Sequence, residues 1–425
     1  MTTQKIDTLA VHAGTEADPT TKARVTPIYQ TTSFVFDDVD HAAGLFDLEI
    51  PGNIYTRLMN PTNGALEGKM AALEGGVAAL ATASGHAAQF LAFHTLMEPG
   101  CHIVASTRLY GGSLNQIGHS FRKMDWHASF VDTDDPANVA AAITDKTRCV
   151  FVESLANPGG VVSDLAAIAK IAHDAGVPLI VDNTLASPVL CRPIEHGADI
   201  VVQSTTKFLN GHGNSVGGVI VDSGKFDWAK AGKYPYLSEP NPSYHGKVFT
   251  EAFGNLAFIL GCRALGMRDL GPQMAPMNAF LTLTGMETLH LRMERHCANA
   301  LALAEWLQKH PKVEWVSYAG LPGDRYHALA ERYLGGKGGA VFTFGLKGGY
   351  DAGVRLVSAV KLFSHVANMG DTRSLIIHPS STTHRQLSLD EQELAGAGPK
   401  VVRVSVGIEH IDDIIADIAQ ALDAA

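Results

Sequence analysis

Six short apolar runs alternate with helical segments between His102 and Asp222, and this alternation constrains the fold more than any other feature. The runs occupy residues 102–106, 127–132, 149–153, 177–182, 199–204 and 217–222. The clearest helical segment begins at Ser163, carries apolar residues at helical spacing and stops at Gly176. Strands that alternate with helices form a largely parallel sheet that is covered on both faces. The sequence therefore predicts an α/β fold.

The chain on either side of this region has a different pattern. Residues 1–62 lack sustained periodicity and are punctuated by prolines, which is typical of an extended arm. Residues 226–284 are rich in Pro, Gly, Tyr and Asn and form an irregular stretch, whereas a long helical pattern runs from Glu287 to His310 and an amphipathic one closes the chain. We predict three parts: an arm (1–62), a large α/β domain (63–285) with an insertion at about 226–284, and a smaller α+β domain (286–425).

Composition argues against several classes of function. The 33 Lys and Arg residues against 43 Asp and Glu give a formal charge of −10, so no general cationic surface is available for nucleic acid or an anionic membrane. The five cysteines are odd in number, widely spaced and without a CxxC motif, which fits a reducing cytoplasm rather than a disulfide framework or zinc ribbon. Residues 77–97 are uncharged and long enough to span a bilayer, but their polar residues favour a buried loop and helix. We expect no metal, because the 19 histidines include no HExxH motif.

Two residues at strand ends are candidates for chemistry, because ligands of open parallel sheets bind beyond the carboxyl ends of the strands. Lys207 follows the fifth apolar run; a lone lysine there is more often solvated, but burial can make it a neutral nucleophile. Asp182 ends the fourth run; its ordinary role is a helix N-cap, but a buried carboxylate can also stabilise a pyridinium nitrogen. A lysine for a Schiff base and an aspartate for the ring nitrogen are the pair that pyridoxal phosphate requires.

The phosphate of such a cofactor needs hydrogen-bond donors. The sequence Ser84-Gly85-His86 begins a predicted helix, where free N–H groups and the helix dipole favour an anion. Ser204 and Thr206, two residues apart at a strand end, can add hydroxyl donors from across the site. These positions predict a phosphate-binding site at the same edge of the sheet.

Other side chains allow two interpretations each. Tyr110 can stack on a flat cofactor, although a lone tyrosine more often lies in a core. Arg403 shares one face of the VVRVSV strand with Ser405; it can hold a carboxylate through two parallel hydrogen bonds, or lie on a plain exposed face. Tyr55 and Arg57 lie on the arm, which can carry an arginine to the phosphate of a neighbouring subunit.

The sequence does not support a serine-hydrolase nucleophile or either of two nucleotide-binding motifs. GNSVG, residues 213–217, matches the GxSxG elbow of serine hydrolases, but a strand-like run follows the serine instead of a helix. There is no GxxxxGK[ST] motif, and no GxGxxG motif follows a strand, so mononucleotide and dinucleotide cradles are not predicted.

The segment LIVDNTLASPVLCRPIEHGADIVVQSTTKFLNGHG, residues 179–213, resembles the lysine-bearing signature of the Cys/Met-metabolism enzymes that depend on pyridoxal phosphate (PLP). The likeness extends over nearly the whole chain, through PIYQTTSF and YTRLMNPT in the arm, ASGHAAQ, LYGGS, ESLANP, LRMERHCANA and HPSSTTH. The resemblance implies the PLP-dependent transferase fold (fold type I, aspartate-aminotransferase-like). It also implies a homodimer as the smallest functional unit, commonly paired into a tetramer.

The resemblance also implies a role for each matching residue. Lys207 would form the Schiff base and shuttle protons, Asp182 would contact the pyridine nitrogen, Asn157 would lie near the ring hydroxyl, and Tyr110 would stack on the ring and assist proton transfer. The phosphate would be bound by Ser84, Gly85, His86, Ser204 and Thr206, and by Tyr55 and Arg57 of the adjacent subunit. Arg403 and Asn368 would bind the substrate carboxylate.

Within the family, the likeness is greatest to the O-acetylhomoserine sulfhydrylases, also called O-acetylhomoserine aminocarboxypropyltransferases. GHGNSVGG and the 226–284 stretch are similar to that branch, and Gly112 stands where methionine γ-lyases carry a cysteine, although His86 departs from the expected glutamine. The likeness implies a γ-replacement that converts O-acetyl-L-homoserine and sulfide or methanethiol to L-homocysteine or L-methionine plus acetate. The alternatives are a methionine γ-lyase, a cystathionine γ-synthase or lyase, an O-succinylhomoserine sulfhydrylase and a non-catalytic cofactor-binding homologue.

Overall fold

The computed structural model describes residues 4–157, 159–386, 388–394 and 396–425. The first of its two sheets consists of β1 (Ala78–Thr82), β2 (His102–Ser106), β3 (His127–Val131), β4 (Thr147–Glu153), β5 (Leu179–Asp182), β6 (Ile200–Ser204) and β7 (Gly218–Asp222). Their order is β1-β7-β6-β5-β4-β2-β3. Strands β2 to β6 are parallel, whereas β7 is antiparallel to both of its neighbours. The mainly parallel sheet is therefore confirmed.

Alternate residues of this sheet enter two separate apolar cores. In β5, Ile180 packs into one core and Val181 into the other, and Val201 and Val202 of β6 divide in the same way. Successive side chains of a strand point to opposite faces, so a strand that is apolar throughout is buried on both sides. This explains why the sequence shows continuous apolar runs rather than alternation.

The second sheet contains β8 (Val313–Ser317), β9 (Val341–Leu346), β10 (Ser364–His365), β11 (Leu375–Ile377) and β12 (Val401–Ser405), in the order β10-β11-β12-β9-β8. Strand β10 is parallel to β11, and the other pairs are antiparallel. A third apolar core joins this sheet to nearby helices. The division of the chain into domains stays a prediction.

Helices surround both sheets. They are α1 (Ile6–His12), α2 (Val39–Phe46), α3 (Pro61–Glu74), α4 (Gly85–Leu96), α5 (Gly111–Asn115), α6 (Pro136–Ala142), α7 (Leu165–Asp174), α8 (Ser187–Leu190), α9 (Trp228–Ala231), α10 (Pro235–Ser238), α11 (Phe249–Phe253), α12 (Ala257–Gly261), α13 (Arg268–Leu270), α14 (Pro276–Met286), α15 (Leu289–Gln308), α16 (His327–Leu334), α17 (Gly349–Ala359), α18 (Leu389–Leu394) and α19 (Ile411–Ala424). Among the described residues, none of these is long and apolar enough to cross a membrane.

Three sequence predictions about local structure need correction. The segment expected as a buried loop before a helix contains strand β1, because pairing with β7 overrides the helical preference of its alanines. The arm is not fully extended, since it includes α1 and α2, and α1 packs against α3. Residues 226–284 are not irregular throughout, because they fold into short helices and most of α14.

Candidate active site

A cavity of about 300 Å³ lies beyond the carboxyl ends of β1, β4, β5 and β6. These ends meet at one edge because the four strands run in the same direction. Strand β12 of the second sheet adds a side chain from the opposite side. Ten of the predicted site residues line the cavity: Ser84, Gly85, His86, Tyr110, Asn157, Asp182, Ser204, Thr206, Lys207 and Arg403.

Lys207 lies in the turn that follows β6. Its Nζ donates a hydrogen bond to Oδ1 of Asn368 at 2.6 Å, so Asn368 also reaches the site. Burial, and then the charge of Arg403, lower the pKa of Lys207 to about 8. An amine with this pKa is partly unprotonated near neutral pH, which a nucleophile or a proton acceptor requires.

Asp182 ends β5 with its carboxylate partly buried in the cavity wall. Its Oδ1 accepts hydrogen bonds from the N–H and the hydroxyl of Thr184 at 2.9 and 2.5 Å, and its Oδ2 accepts one from Nε2 of Gln89 at 3.2 Å. Burial nevertheless raises the pKa of Asp182. The N-cap alternative is wrong, because the next helix, α8, begins only at Ser187. These hydrogen-bond partners are neutral, so a cationic ring nitrogen would add a favourable charge interaction.

Glu153 also lines the cavity, although no role was predicted for it from the sequence. Its Oε1 accepts the N–H of Tyr110 at 2.6 Å, and its Oε2 accepts the N–H of Asn157 at 3.1 Å. Burial, together with the neighbouring Asp182, raises the pKa of Glu153 well above its usual range. Glu153 therefore holds two main-chain segments of the cavity in place. Its position at the end of an apolar run was the available signal.

The start of α4 can bind an anion. Oγ of Ser84 caps the helix by accepting the N–H of Ala87 at 3.1 Å. The N–H groups of Gly85 and His86 lie in the first turn, where a helix offers no backbone acceptor. A Cβ at Gly85 would lie 2.8 Å from Cβ of Ser204, so a larger residue would push into the opposite wall. The Thr206 hydroxyl is already engaged with Gly217, from which it accepts at 3.1 Å.

Tyr110 lies at the rim of the cavity and not in a core. Its side chain is 48% exposed, and its ring centroid lies 5.7 Å from that of His86. A Cβ at Gly112 would lie 2.4 Å from Cε1 of Tyr110 and 2.7 Å from Cε1 of His86. The glycine therefore leaves room for both rings beside the cavity.

Arg403 is buried at the opposite wall, with only 8% of its surface exposed, so the exposed-face interpretation is wrong. Its Nη1 donates to Oδ1 of Asn157 at 3.1 Å and its Nη2 to the carbonyl of Asn368 at 3.0 Å. Both acceptors are neutral, and among the described residues its Nε has no hydrogen-bond partner. Burial lowers the pKa of Arg403 to about 10. A guanidinium held in this way is prepared to bind a carboxylate.

The remaining predicted residues lie away from the cavity of the same chain. Arg57 lies 5.6 Å from the ring centroid of Tyr55 and donates to the carbonyl of Arg268, and neither Tyr55 nor Arg57 lines the cavity. Ser215, the serine of the hydrolase-like motif, donates to the carbonyl of Asn278 at 3.3 Å and is followed by β7. The structure thus gives Ser215 none of the surroundings of a nucleophile elbow.

Comparison with known proteins gives consistent matches. The model of the family "Cys/Met metabolism PLP-dependent enzyme" matches residues 7–423. The O-acetyl-L-homoserine sulfhydrylase of Leptospira meyeri is 53% identical, with 98% of this chain and 96% of the relative covered. Homocysteine synthase of Schizosaccharomyces pombe is also 53% identical, with 99% of both chains covered. A solved structure from Campylobacter jejuni, provisionally named an O-acetylhomoserine (thiol)-lyase and carrying N'-pyridoxyl-lysine-5'-monophosphate, superposes with a TM-score of 0.95 at 36% identity over 99% of this chain and 100% of its own.

Proposed function

Because the chain belongs to the Cys/Met metabolism PLP-dependent enzymes, we propose that it is an O-acetylhomoserine sulfhydrylase. It transfers the aminocarboxypropyl group of O-acetyl-L-homoserine to sulfide, which gives L-homocysteine and acetate. With methanethiol as the acceptor the product is L-methionine. The observation that carries the proposal is 53% identity to the Leptospira meyeri enzyme of that name over nearly the whole chain.

The residues of the cavity fit PLP. Lys207 has an amine of lowered pKa, and the carboxylate of Asp182, which accepts hydrogen bonds from the neutral Thr184 and Gln89, suits a protonated ring nitrogen. The first turn of α4 offers the N–H groups of Gly85 and His86 to a phosphate, with Ser84 and Ser204 beside it. Among the described residues, Nε of Arg403 has no partner and its Nη groups contact neutral acceptors, which suits the binding of a substrate carboxylate. Tyr110 would stack on the ring, and Asn157 would lie near its hydroxyl.

PLP, when bound, supplies an electron sink that stabilises negative charge at the carbon atoms next to the amino group. Lys207 would hold the cofactor through Nζ and, once exchanged for the substrate amine, take the proton from the α-carbon. The lowered pKa of Lys207 makes its amine a competent base near neutral pH. Tyr110, at the rim of the cavity, would assist proton transfer as acetate leaves and the thiol arrives.

The substrate's orientation follows from the two sides of the cavity. Arg403 would hold the α-carboxylate from the wall opposite β5 and β6, which places the α-carbon between the guanidinium and the Lys207 amine. Asn368 contacts both groups and would keep the distance between them constant. The γ-carbon, which carries the acetyl ester, would then point towards the more open rim where the thiol enters.

We propose that the working unit is a homodimer, with tetramers formed from dimers. The support is the position of Tyr55 and Arg57, which lie outside their own chain's cavity on an arm that exposes large apolar residues such as Val35 and Val39. The arm would bring these two side chains to the phosphate-binding site of a second copy of this chain. We also propose a cytoplasmic location, which the five free and buried cysteines support.

The test is product analysis with O-acetyl-L-homoserine, with and without sulfide, using purified protein and a Lys207→Ala control. The expected result is homocysteine and acetate in equal amounts, formed only with sulfide and only with Lys207. A parallel reaction with the succinyl ester measures ester preference. Predominant 2-oxobutanoate and ammonia in the presence of sulfide would instead identify a γ-lyase and overturn the proposal, while leaving the cofactor assignment in place.

A further inference from the structure

A buried arginine outside the cavity donates hydrogen bonds to the turn that carries Lys207. Arg292, on α15, donates from Nη1 to the carbonyl of Phe208 at 2.8 Å and from Nη2 to the carbonyl of Leu209 at 3.2 Å. Its Nη2 also donates to the carbonyl of Gly285 at 2.8 Å, at the end of α14. The two residues that follow Lys207 are therefore tied to one guanidinium.

Arg292 is an unusual structural donor. It is only 5% exposed, its acceptors are neutral oxygens, and burial lowers its pKa to about 10. Burying a cation without a carboxylate is costly unless the guanidinium satisfies several carbonyls at once. The packing is close, because a Cβ at Gly211 would lie 2.2 Å from Nη1 of Arg292.

The same face of α15 also holds the segment that follows Arg403. His296, one turn after Arg292, donates from Nδ1 to the carbonyl of Val406 at 2.6 Å, and its ring packs edge-on against Phe208 at 5.3 Å. Asn299, a turn further, donates to the carbonyls of Gly407 and Glu409 at 3.0 and 2.9 Å. Residues spaced in this way lie on one side of a helix.

We propose that Arg292 is a positioning residue for Lys207, and that the α15 face of Arg292, His296 and Asn299 fixes the spacing between the Lys207 turn and the strand that carries Arg403. Arg292 does not line the cavity, so it acts through the main chain of Phe208 and Leu209. The inference rests on the cofactor site of the proposed function and not on which ester or thiol is used.

The test uses the holoenzyme of Arg292→Met and follows the absorbance of the lysine-bound cofactor as a function of pH. When the turn is released, water reaches Nζ and its proton is held more tightly, so the titration midpoint rises by about half a unit or more. The other titratable groups that line the cavity, which are Arg403, Asp182, Glu153, Tyr110 and His86, are unchanged in this variant. The measurement needs no substrate, so it is independent of the sulfhydrylase assignment.

Two variants separate positioning from general stability. Lys69→Met removes another buried cation that donates to main-chain carbonyls, those of Ala10 and Val11, but Lys69 does not line the cavity; we expect a lower melting temperature and the parental midpoint. Arg292→Lys retains the charge and offers three N–H donors on one nitrogen, and it should restore most of the parental midpoint.

A folded Arg292→Met holoenzyme with the parental midpoint, or an equal rise in Lys69→Met, would overturn the proposal. If Arg292→Met does not fold, Arg292→Gln keeps one amide donor and is judged by the same criterion.

Discussion

The Lys207 amine donates a hydrogen bond of 2.6 Å to Oδ1 of Asn368, and the carbonyl of Asn368 accepts one of 3.0 Å from Arg403. One residue from the loop before β11 therefore contacts both cations of the cavity. Asn368 is neutral, so it orients the Lys207 amine without the stabilisation of the ammonium form that a carboxylate would give.

Asn368→Asp should raise the pKa of Lys207 from about 8 towards its usual value, because a carboxylate beside Nζ favours the ammonium form. The measurement is the pH dependence of Lys207 acetylation in cofactor-free protein, followed by peptide mass spectrometry. Asn368→Ala serves as the control and should not raise the midpoint. An unchanged midpoint in the aspartate variant would mean that Asn368 does not face the amine in solution.

Asp182→Asn should reduce kcat by about 10² to 10³, the usual range for losing one electrostatic partner of the reacting group. The amide cannot stabilise a protonated ring nitrogen, so negative charge on the substrate carbon is less well absorbed. Asp222→Asn is a matched control, because Asp222 is a buried carboxylate at the end of β7 that does not line the cavity. Equal losses of kcat in the two variants would argue against a role for Asp182 in the chemistry.

Arg403→Lys should weaken binding of amino acids that carry an α-carboxylate by about tenfold or more, since an ammonium cannot form the two parallel hydrogen bonds of a guanidinium. Inhibition constants of norvaline and butylamine, which differ only in the carboxylate, provide the measurement. The norvaline constant should rise in the variant, whereas the butylamine constant should stay the same. A similar rise for both compounds would indicate a general change in the cavity.

Glu74→Gln should remove a pH-dependent loss of stability. Glu74 is fully buried beside Asn183, and burial raises its pKa from 4.5 to about 8. Between these two values the folded protein keeps a proton that the unfolded chain releases, so the parent loses stability as pH rises, by about 1.4 kcal/mol per unit at most. The melting temperature of the variant relative to the parent should therefore increase from about pH 5 to about pH 8.

The control for Glu74 is Glu314→Gln on β8, where the exposed carboxylate pairs with Lys400 at 2.9 Å. No comparable trend with pH is expected there, because exposed ion pairs contribute little. A flat difference between the Glu74 variant and the parent across this range would contradict the buried-proton explanation.

Much of the site could be predicted from the sequence because it lies at strand ends. Asp182, Ser204 and Lys207 follow continuous apolar runs, and in a parallel sheet these ends meet at one edge. The family motifs led to the same residues, and the family, the fold class and the cofactor are confirmed by the comparisons. The catalytic and binding roles of single residues stay predictions that the variants above can test.

Other features were decided by contacts between distant segments. The alanine-rich segment 78–82 has little strand preference of its own and becomes β1 by pairing with β7. Arg403 contacts Asn157 across 246 residues of sequence, and Arg292 reaches the Lys207 turn from a helix more than 80 residues later. Glu153 could be placed at a strand end, but the hydrogen bonds that it accepts from the main chain of Tyr110 and Asn157 could not be predicted.

The sequence by itself determined the alternation of strands and helices, the edge of the sheet where the site lies, and the family signature around Lys207. These depend on local periodicity and on residue types at fixed spacing, which a single chain segment carries. Only the tertiary structure decided that Arg403 is buried, that Tyr55 and Arg57 lie outside their own cavity, and that α15 supports the Lys207 turn. Burial and hydrogen-bond partners depend on how separate segments pack together, and no local pattern records that packing.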